Sequence, residues 1–366
     1  MKVTGFGLYR FRLPLTAPLV LKGETVRHRE GLLLRLDGAG GAVGWGEASP
    51  LPGFSREVLP EAARELHGLA ESVVGRGVPE ARPGAGLDGA PGFTDAAPSV
   101  RFGCELALWN LYAAARGVAL PEVVSPRFRA VVPANGLLAG SPTEVLGGAR
   151  RMRAEGYEAA KLKVGGRPVG EDVALVRTVR EALGGDVSLR LDANRAWGTQ
   201  EALEFARGIE GVGIEYLEEP LEEPADLGSF ARACGVPVAL DESLVGMAPE
   251  ALGAHRYAVA VVIKPSLIGG LSRALDLANR ALDLGMRPVV SSAYESGVGT
   301  AALVALAAGI GDEGVPAGLD TYRRLAGDVI EPRLPLPAPR IDVRETVEAA
   351  HDVVPGRLSP EAEPIG

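Results

Sequence analysis

The chain has 366 residues, 46% of them hydrophobic, and a formal net charge of −9. That length asks for two domains or one large barrel, and no apolar run reaches the roughly 18 residues that span a bilayer. An acidic balance without a basic patch argues against a nucleic-acid partner, as the absence of an apolar span argues against a membrane one.

Residues 3–13 and 31–37 read as strands, followed by a third at Val43-Gly44-Trp45-Gly46-Glu47. Residues 15–30 show no clear periodicity and are predicted to be a mobile loop. Residues 56–75 and 99–116 read as helices, and the stretch 76–98 between them, rich in Gly, Pro and Ala, reads as a loop. Together these predict an α+β domain over 1–125. The start, Met1-Lys2-Val3-Thr4, lacks the basic, apolar and small-residue succession of a signal peptide. Cys104 and Cys234 lie far apart in helix-like segments and read as buried thiols of a reducing, cytoplasmic protein.

From Ala130 the pattern becomes alternating strand and helix. Short apolar strands end at Leu138, Val164, Asp192, Glu218, Asp241, Lys264 and Ser291, with helices between them, among them 171–183, 200–209 and 271–284. A repeated strand–helix unit implies parallel strands, and seven in a row favour a barrel over 126–325. An eighth, weak strand falls at 315–319. The tail, 326–366, is proline-rich, then helical near 343–352, and is expected to pack back on the first domain.

The active site of a parallel barrel lies at the C-terminal ends of its strands. Here strand two ends Lys161-Leu162-Lys163, strand three Asp192-Ala193-Asn194, strand four Glu218-Glu219-Pro220, strand five Asp241-Glu242-Ser243 and strand six Lys264-Pro265. One acid at a strand end is most simply a helix cap. Acids on three successive strands would repel one another unless a cation joined them, and oxygen ligands favour a hard ion such as magnesium. Strand alternation does not decide between Glu218 and Glu219, since it leaves open which face points inward.

The lysines sharpen this. Of 38 basic residues only five are lysine: Lys2, Lys22, Lys161, Lys163 and Lys264. Three of the five stand at strand ends, where the chain could have used its customary arginine. Only lysine can be brought near neutral pKa and act as a base. Lys161 and Lys163, two apart on one strand, share a face. Lys264 comes from across the barrel, and like charges beside a divalent ion would lower the pKa of Lys163. A base facing a metal suits removal of the weakly acidic proton beside a carboxylate. The four histidines lie outside every strand end, and neither a Gly-x-Ser-x-Gly elbow nor a P-loop is present. Gly165-Gly166 and Gly269-Gly270 read as tight turns rather than phosphate cradles.

Those strand ends resemble the enolase superfamily, in its muconate-lactonizing branch, over nearly the whole chain. Within the branch, residues 44–55, 189–197, 217–220, 241–244, 261–266, 291–299 and 318–321 are most similar to the o-succinylbenzoate synthase family. The segments Pro50-Leu51-Pro52-Gly53-Phe54-Ser55 and Ser291-Ser292-x-x-Glu295-Ser296 carry most of that likeness.

The resemblance implies an α/β fold, an enolase-type modified (β/α) barrel with an N-terminal α+β capping domain. It implies Mg2+, or Mn2+ in its place, on Asp192, Glu218 and Asp241, choosing Glu218 over Glu219. The implied reaction is loss of water from 2-succinyl-6-hydroxy-2,4-cyclohexadiene-1-carboxylate, a small-molecule carboxylate of menaquinone biosynthesis. Lys163 would take the proton and return it to the leaving hydroxyl. Lys264 would stay a fixed cation across the ring face, and Lys161 would keep the pKa of Lys163 low. Asn194 and Glu242 would orient the metal ligands. Ser291, Ser292 and Gly318 would hold the succinyl arm, and a loop at 19–25 would close over it.

Rival activities of the branch are N-acylamino-acid racemase, dipeptide epimerase and muconate cycloisomerase. Dipeptide epimerases of the branch carry Asp-x-Asp at strand eight, where this chain has Gly318-Leu319-Asp320. A non-catalytic barrel is disfavoured because all five charged residues are present. Neither the residues nor the resemblance sets an oligomeric state.

Overall fold

A computed structural model describes residues 1–361 apart from 22, 83–85, 88–92, 94, 312 and 313. The N-terminal unit is an antiparallel sheet of Val3–Leu21, Glu24–Gly38 and Val43–Ala48, with Ser359–Pro360 added beside the first strand. Leu32, Leu33, Leu34 and Leu36 are buried, a run that makes the middle strand the spine of the sheet. The helix Pro98–Arg116 starts on a proline and ends on left-handed Gly117.

That helix lies directly on the third strand because glycines remove the side chains between them. A Cβ on Gly46 would stand 1.9 Å from the Gly103 carbonyl oxygen, and one on Gly44 2.1 Å from that of Ala107. The obstacles are backbone and cannot rotate away. Gly46→Ala is therefore expected to cost about 3 kcal/mol, read as a lower urea midpoint at unchanged slope.

Seven parallel strands follow in sequential order: Asn135–Leu138, Ala159–Lys163, Ser188–Asp192, Tyr216–Glu218, Val238–Leu240, Ala258–Ile263 and Arg287–Val290. The ring closes through an eighth segment much shorter than 315–319. Ala317 bridges Ala134 and Gly318 bridges Ser291, both parallel. Pro316 has no N–H to donate and Gly318 no side chain to pack, so pairing does not spread.

Each strand divides its residues between two sides. Leu162, Leu191, Leu217, Leu240 and Ile263 face the helices in the main core, while Tyr216, Ala239, Ala260, Val262 and Val289 form a separate cluster inside the barrel. Arg190 floors that lumen. It donates to the Pro316 carbonyl at 2.8 Å and to Glu215 at 2.7 Å, with its guanidinium 5.3 Å from the Tyr216 ring centre. The charge at the floor of the lumen is thus paired, and the apolar cluster separates it from the charges at the upper end.

Residues 15–30 are not a loop: the first two strands run on as a long hairpin, with a register shift between Pro14 and Leu19. Its outer part has no buried face, so alternation left no mark on its sequence. Position 22 lies outside the described residues, as does much of 76–98. Of the latter, Ala81–Arg82 pairs with Gly86–Leu87. No helix of the described residues is long and apolar enough to cross a membrane.

Candidate active site

The charged strand ends meet at the barrel mouth as one bonded network. Lys161 Nζ lies 3.0 Å from Asp192 Oδ2 and donates to both Glu218 oxygens at 3.1 and 3.2 Å. Lys163 Nζ donates to Asp192 at 2.7 Å and to Asn194 Oδ1. Asn194 Nδ2 continues to Glu242 Oε1 at 2.9 Å. On the far side Lys264 is paired with Asp241. Asp192, Glu218 and Asp241 are all buried.

Glu218 points into the lumen with Tyr216, and Glu219 points away from it. Glu219 accepts from the amides of Asp241 and Ser243 at 2.9 and 2.7 Å, from the Ser243 hydroxyl at 3.0 Å and from Arg195 at 3.0 Å. It therefore ties the ends of strands three, four and five together.

Electrostatics follow from burial of like charges. Burial, then Asp192, push the Glu218 carboxyl well above the usual carboxylate range, against the pull of Lys161. Burial raises Asp192 too, but Lys161, Lys163 and Lys264 outweigh it and hold that carboxyl far down. Burial disfavours the ammonium of Lys161, yet Asp192, Glu218 and Asp241 hold it well above its ordinary pKa. Lys264 is raised in the same way, chiefly by Asp241 against the cost of burial. These two lysines are thus stabilised as cations.

Among the described residues no group of three acids, histidines or cysteines is arranged to hold a metal as the side chains stand. The ammoniums lie among the carboxylates instead. The donor set nevertheless fits a hard divalent ion: three buried carboxylates from adjacent strands, all oxygen. Glu242 Oε2 is also buried beside them with no hydrogen-bond partner. An ion there would take over the charge that Asp192 and Glu218 now share with lysine.

Above the network lies a cavity of about 660 Å³ that Lys161, Lys163, Asn194 and Lys264 line from below. Leu19, Val20 and Leu21 of the hairpin overhang it, and Leu51 and Phe54 wall one side. Ser291, Ser292 and Gly318 line it too, but the two hydroxyls donate to the Gly318 carbonyl at 3.3 and 3.1 Å, and Ser292 also meets Thr321. They fasten strand seven to the closing segment.

Two buried groups that sequence reasoning passed over join the N-terminal unit to the barrel. Glu47 accepts from the Ser296 amide at 2.9 Å, the Ser296 hydroxyl at 2.6 Å and the Gly299 amide at 2.9 Å. Burial pushes its carboxyl up, while these donors pull it down. Arg29 donates to the carbonyls of Pro50 at 2.7 Å and Tyr294 at 3.1 Å. Both contacts fix the loops that bear Leu51, Phe54 and Ser291–Tyr294 against each other. Among the described residues the non-glycine positions with positive φ are Asn194, Arg195, Glu219 and Tyr294. All four stand at the barrel mouth, where backbone strain marks a constrained site.

The roles of the adjacent glutamates separate experimentally. Glu219→Ala leaves Arg195 and two amides without their acceptor and is expected to cost about 3 kcal/mol of stability. Glu218→Gln should leave the unfolding midpoint nearly unchanged or raised, because it removes a buried charge beside Asp192. Chemical denaturation of both variants checks this. An equal loss in the two would contradict the division.

Comparison with known proteins identifies the family and the fold. Residues 144–347 match the family described as Enolase C-terminal domain-like, and residues 3–111 match MenC, N-terminal domain. The chain is 35% identical to an o-succinylbenzoate synthase of Klebsiella pneumoniae, over 92% of this chain and 98% of that protein. Its fold is similar to the L-Ala-D/L-Glu epimerase from Bacillus subtilis, with a TM-score of 0.82 and 26% identity over 93% of this chain and 96% of that one. It is also similar to a dipeptide epimerase from Methylococcus capsulatus, complexed with Mg and a dipeptide. There the TM-score is 0.78, with 26% identity over 94% and 97% of the two chains.

Proposed function

This chain belongs to the o-succinylbenzoate synthases of the enolase superfamily, a family of hydro-lyases, and on that premise we propose that it dehydrates 2-succinyl-6-hydroxy-2,4-cyclohexadiene-1-carboxylate to 2-succinylbenzoate. The step belongs to menaquinone biosynthesis and is assigned to the cytoplasm. The observation that carries the reading is the pairing of Lys163 with Lys264 on opposite sides of three buried carboxylates, beneath one cavity.

The division of labour among the lysines follows from exposure. The Lys163 side chain is 38% exposed, against 10% for Lys161 and 13% for Lys264. Lys163 is the amine that reaches substrate, so it takes the proton beside the ring carboxylate. The electron pair of that C–H bond enters the ring as the C–O bond breaks. The same ammonium protonates the departing hydroxyl, which leaves as water. Lys264, held as a cation by Asp241, faces the negative charge that builds on the substrate. Lys161 stays locked between Asp192 and Glu218. Asn194 steadies Lys163 and Glu242 together. Asp192, Glu218 and Asp241 would hold Mg2+, with Mn2+ as a substitute. When bound, the ion supplies positive charge opposite the carboxylate oxygens.

A second reading, racemisation of an N-acylamino acid, is favoured by the same lysine placement, since a racemase needs an amine on each face. One preparation tests both: kcat/KM for dehydration against that for racemising an N-succinylamino acid. Dehydration is expected to be the faster. Racemisation running well ahead would replace the first reading by the second.

A further inference from the structure

We propose that Arg324 binds the terminal carboxylate of the substrate's succinyl arm and makes the far wall of the cavity selective for an anionic arm. The inference rests on the proposed dehydration, whose substrate carries two carboxylates. One must sit at the lysine end, which leaves the other to be matched across the cavity.

Among the charged and hydroxyl groups of that wall, Ser291, Ser292, Asp320 and Arg323 are already paired; Asn135, whose side-chain oxygen is buried there without a partner, is neutral and offers no charge to a carboxylate. Ser291 and Ser292 donate to the Gly318 carbonyl. Asp320, 4% exposed, accepts from the Leu137 amide at 2.8 Å and from Arg323 Nε at 2.8 Å, so its charge is neutralised and Arg323 is occupied. Arg324, half-buried at the end of the short helical turn Asp320–Arg324, has no hydrogen bond or ion pair among the described residues. It lines the substrate cavity and also an adjoining one of about 440 Å³, which shares Leu137, Ala139 and Asp320 with the first. The acid that faces it, Glu144, is engaged by the hydroxyl and amide of Ser141 at 2.6 and 2.8 Å. The wall therefore presents one uncommitted guanidinium, whose planar donors match a carboxylate. An ammonium placed there would be repelled, which turns the site away from substrates with a free amine at that end.

Calorimetry with Mg2+ tests the assignment, using two probes: 2-succinylbenzoate and its methyl ester at the succinyl carboxylate. Arg324→Gln is expected to weaken the acid by about 10- to 100-fold and to leave the ester unchanged, with Arg324→Lys intermediate. KM for the diene should rise with kcat within a few-fold, and circular dichroism should match the parent. Acid binding that survives Arg324→Gln, or ester binding that falls as far as acid binding, overturns the proposal. Because binding is read apart from turnover, a parent enzyme without dehydration but with this binding pattern would remove the reaction and keep the arginine. A parent that dehydrates while Arg324→Gln binds the acid normally would do the reverse.

Discussion

Lys163→Ala is expected to lower kcat for dehydration by about 10³- to 10⁴-fold, with KM changed only a few-fold. The substitution removes both proton transfers while leaving the cavity's walls and the two other amines in place. Lys163 is the least confined of the three, and its exposed amine has Asp192 and Asn194 as its bonded partners. Lys264→Ala should also cost activity, but in a different way. It deletes a fixed charge that strengthens with the developing anion, so it too acts on kcat, by about 10²- to 10³-fold. It also leaves Asp241 buried without its cation. The two variants part on solvent exchange: Lys264→Ala should still exchange the proton beside the ring carboxylate slowly with deuterated water, and Lys163→Ala should not. Exchange surviving in Lys163→Ala alone would move the base to the other side.

Removal of the divalent ion is the second large effect. Dialysis against a chelator should lower dehydration by about 10⁴-fold, and Mg2+ should restore it, since charge stabilisation of this kind amounts to several kcal/mol. The three carboxylates are buried and crowded, with Glu218 pushed up by burial and by Asp192. An ion among them relieves that repulsion, so binding must also stabilise the fold. At 100 times its Kd the gain is about 2.7 kcal/mol, seen as a higher unfolding midpoint. Glu218→Gln should blunt both effects. Full activity after exhaustive chelation, or a midpoint that ignores Mg2+, would contradict the assignment of these carboxylates to a metal.

Much of this was legible in the chain. The strand–helix repeat announces a parallel barrel, and the strand ends carry their charges in order. Three of five lysines at those ends is itself a chemical statement. What stayed hidden depended on closure. Alternation yields two faces for Tyr216–Glu218, and only the ring tells which is inside, so Glu218 and Glu219 look alike until then. The outer hairpin escaped notice because its apolar residues are at most half-buried, Leu21 against Leu51, Leu267 and Ala293, and so leave no regular alternation. The eighth strand shrank to Ala317 and Gly318 because Pro316 has no N–H to donate and Gly318 has no side chain to pack. Glu47 stands in a motif that invites attention, but its partners Ser296 and Gly299 are 249 and 252 residues away. Arg324 is one of 33 arginines, and nothing in its neighbours announces that it is the unpaired cation of its wall.

The most direct measurement follows the diene absorbance of 2-succinyl-6-hydroxy-2,4-cyclohexadiene-1-carboxylate with purified enzyme and Mg2+. Rapid loss of the signal with formation of 2-succinylbenzoate is expected, at a kcat/KM of about 10⁴ M⁻¹s⁻¹ or more, and a loss slowed by about 10³- to 10⁴-fold with Lys163→Ala. An unchanged signal with the parent enzyme, or an undiminished rate in that variant, would contradict the proposed dehydration.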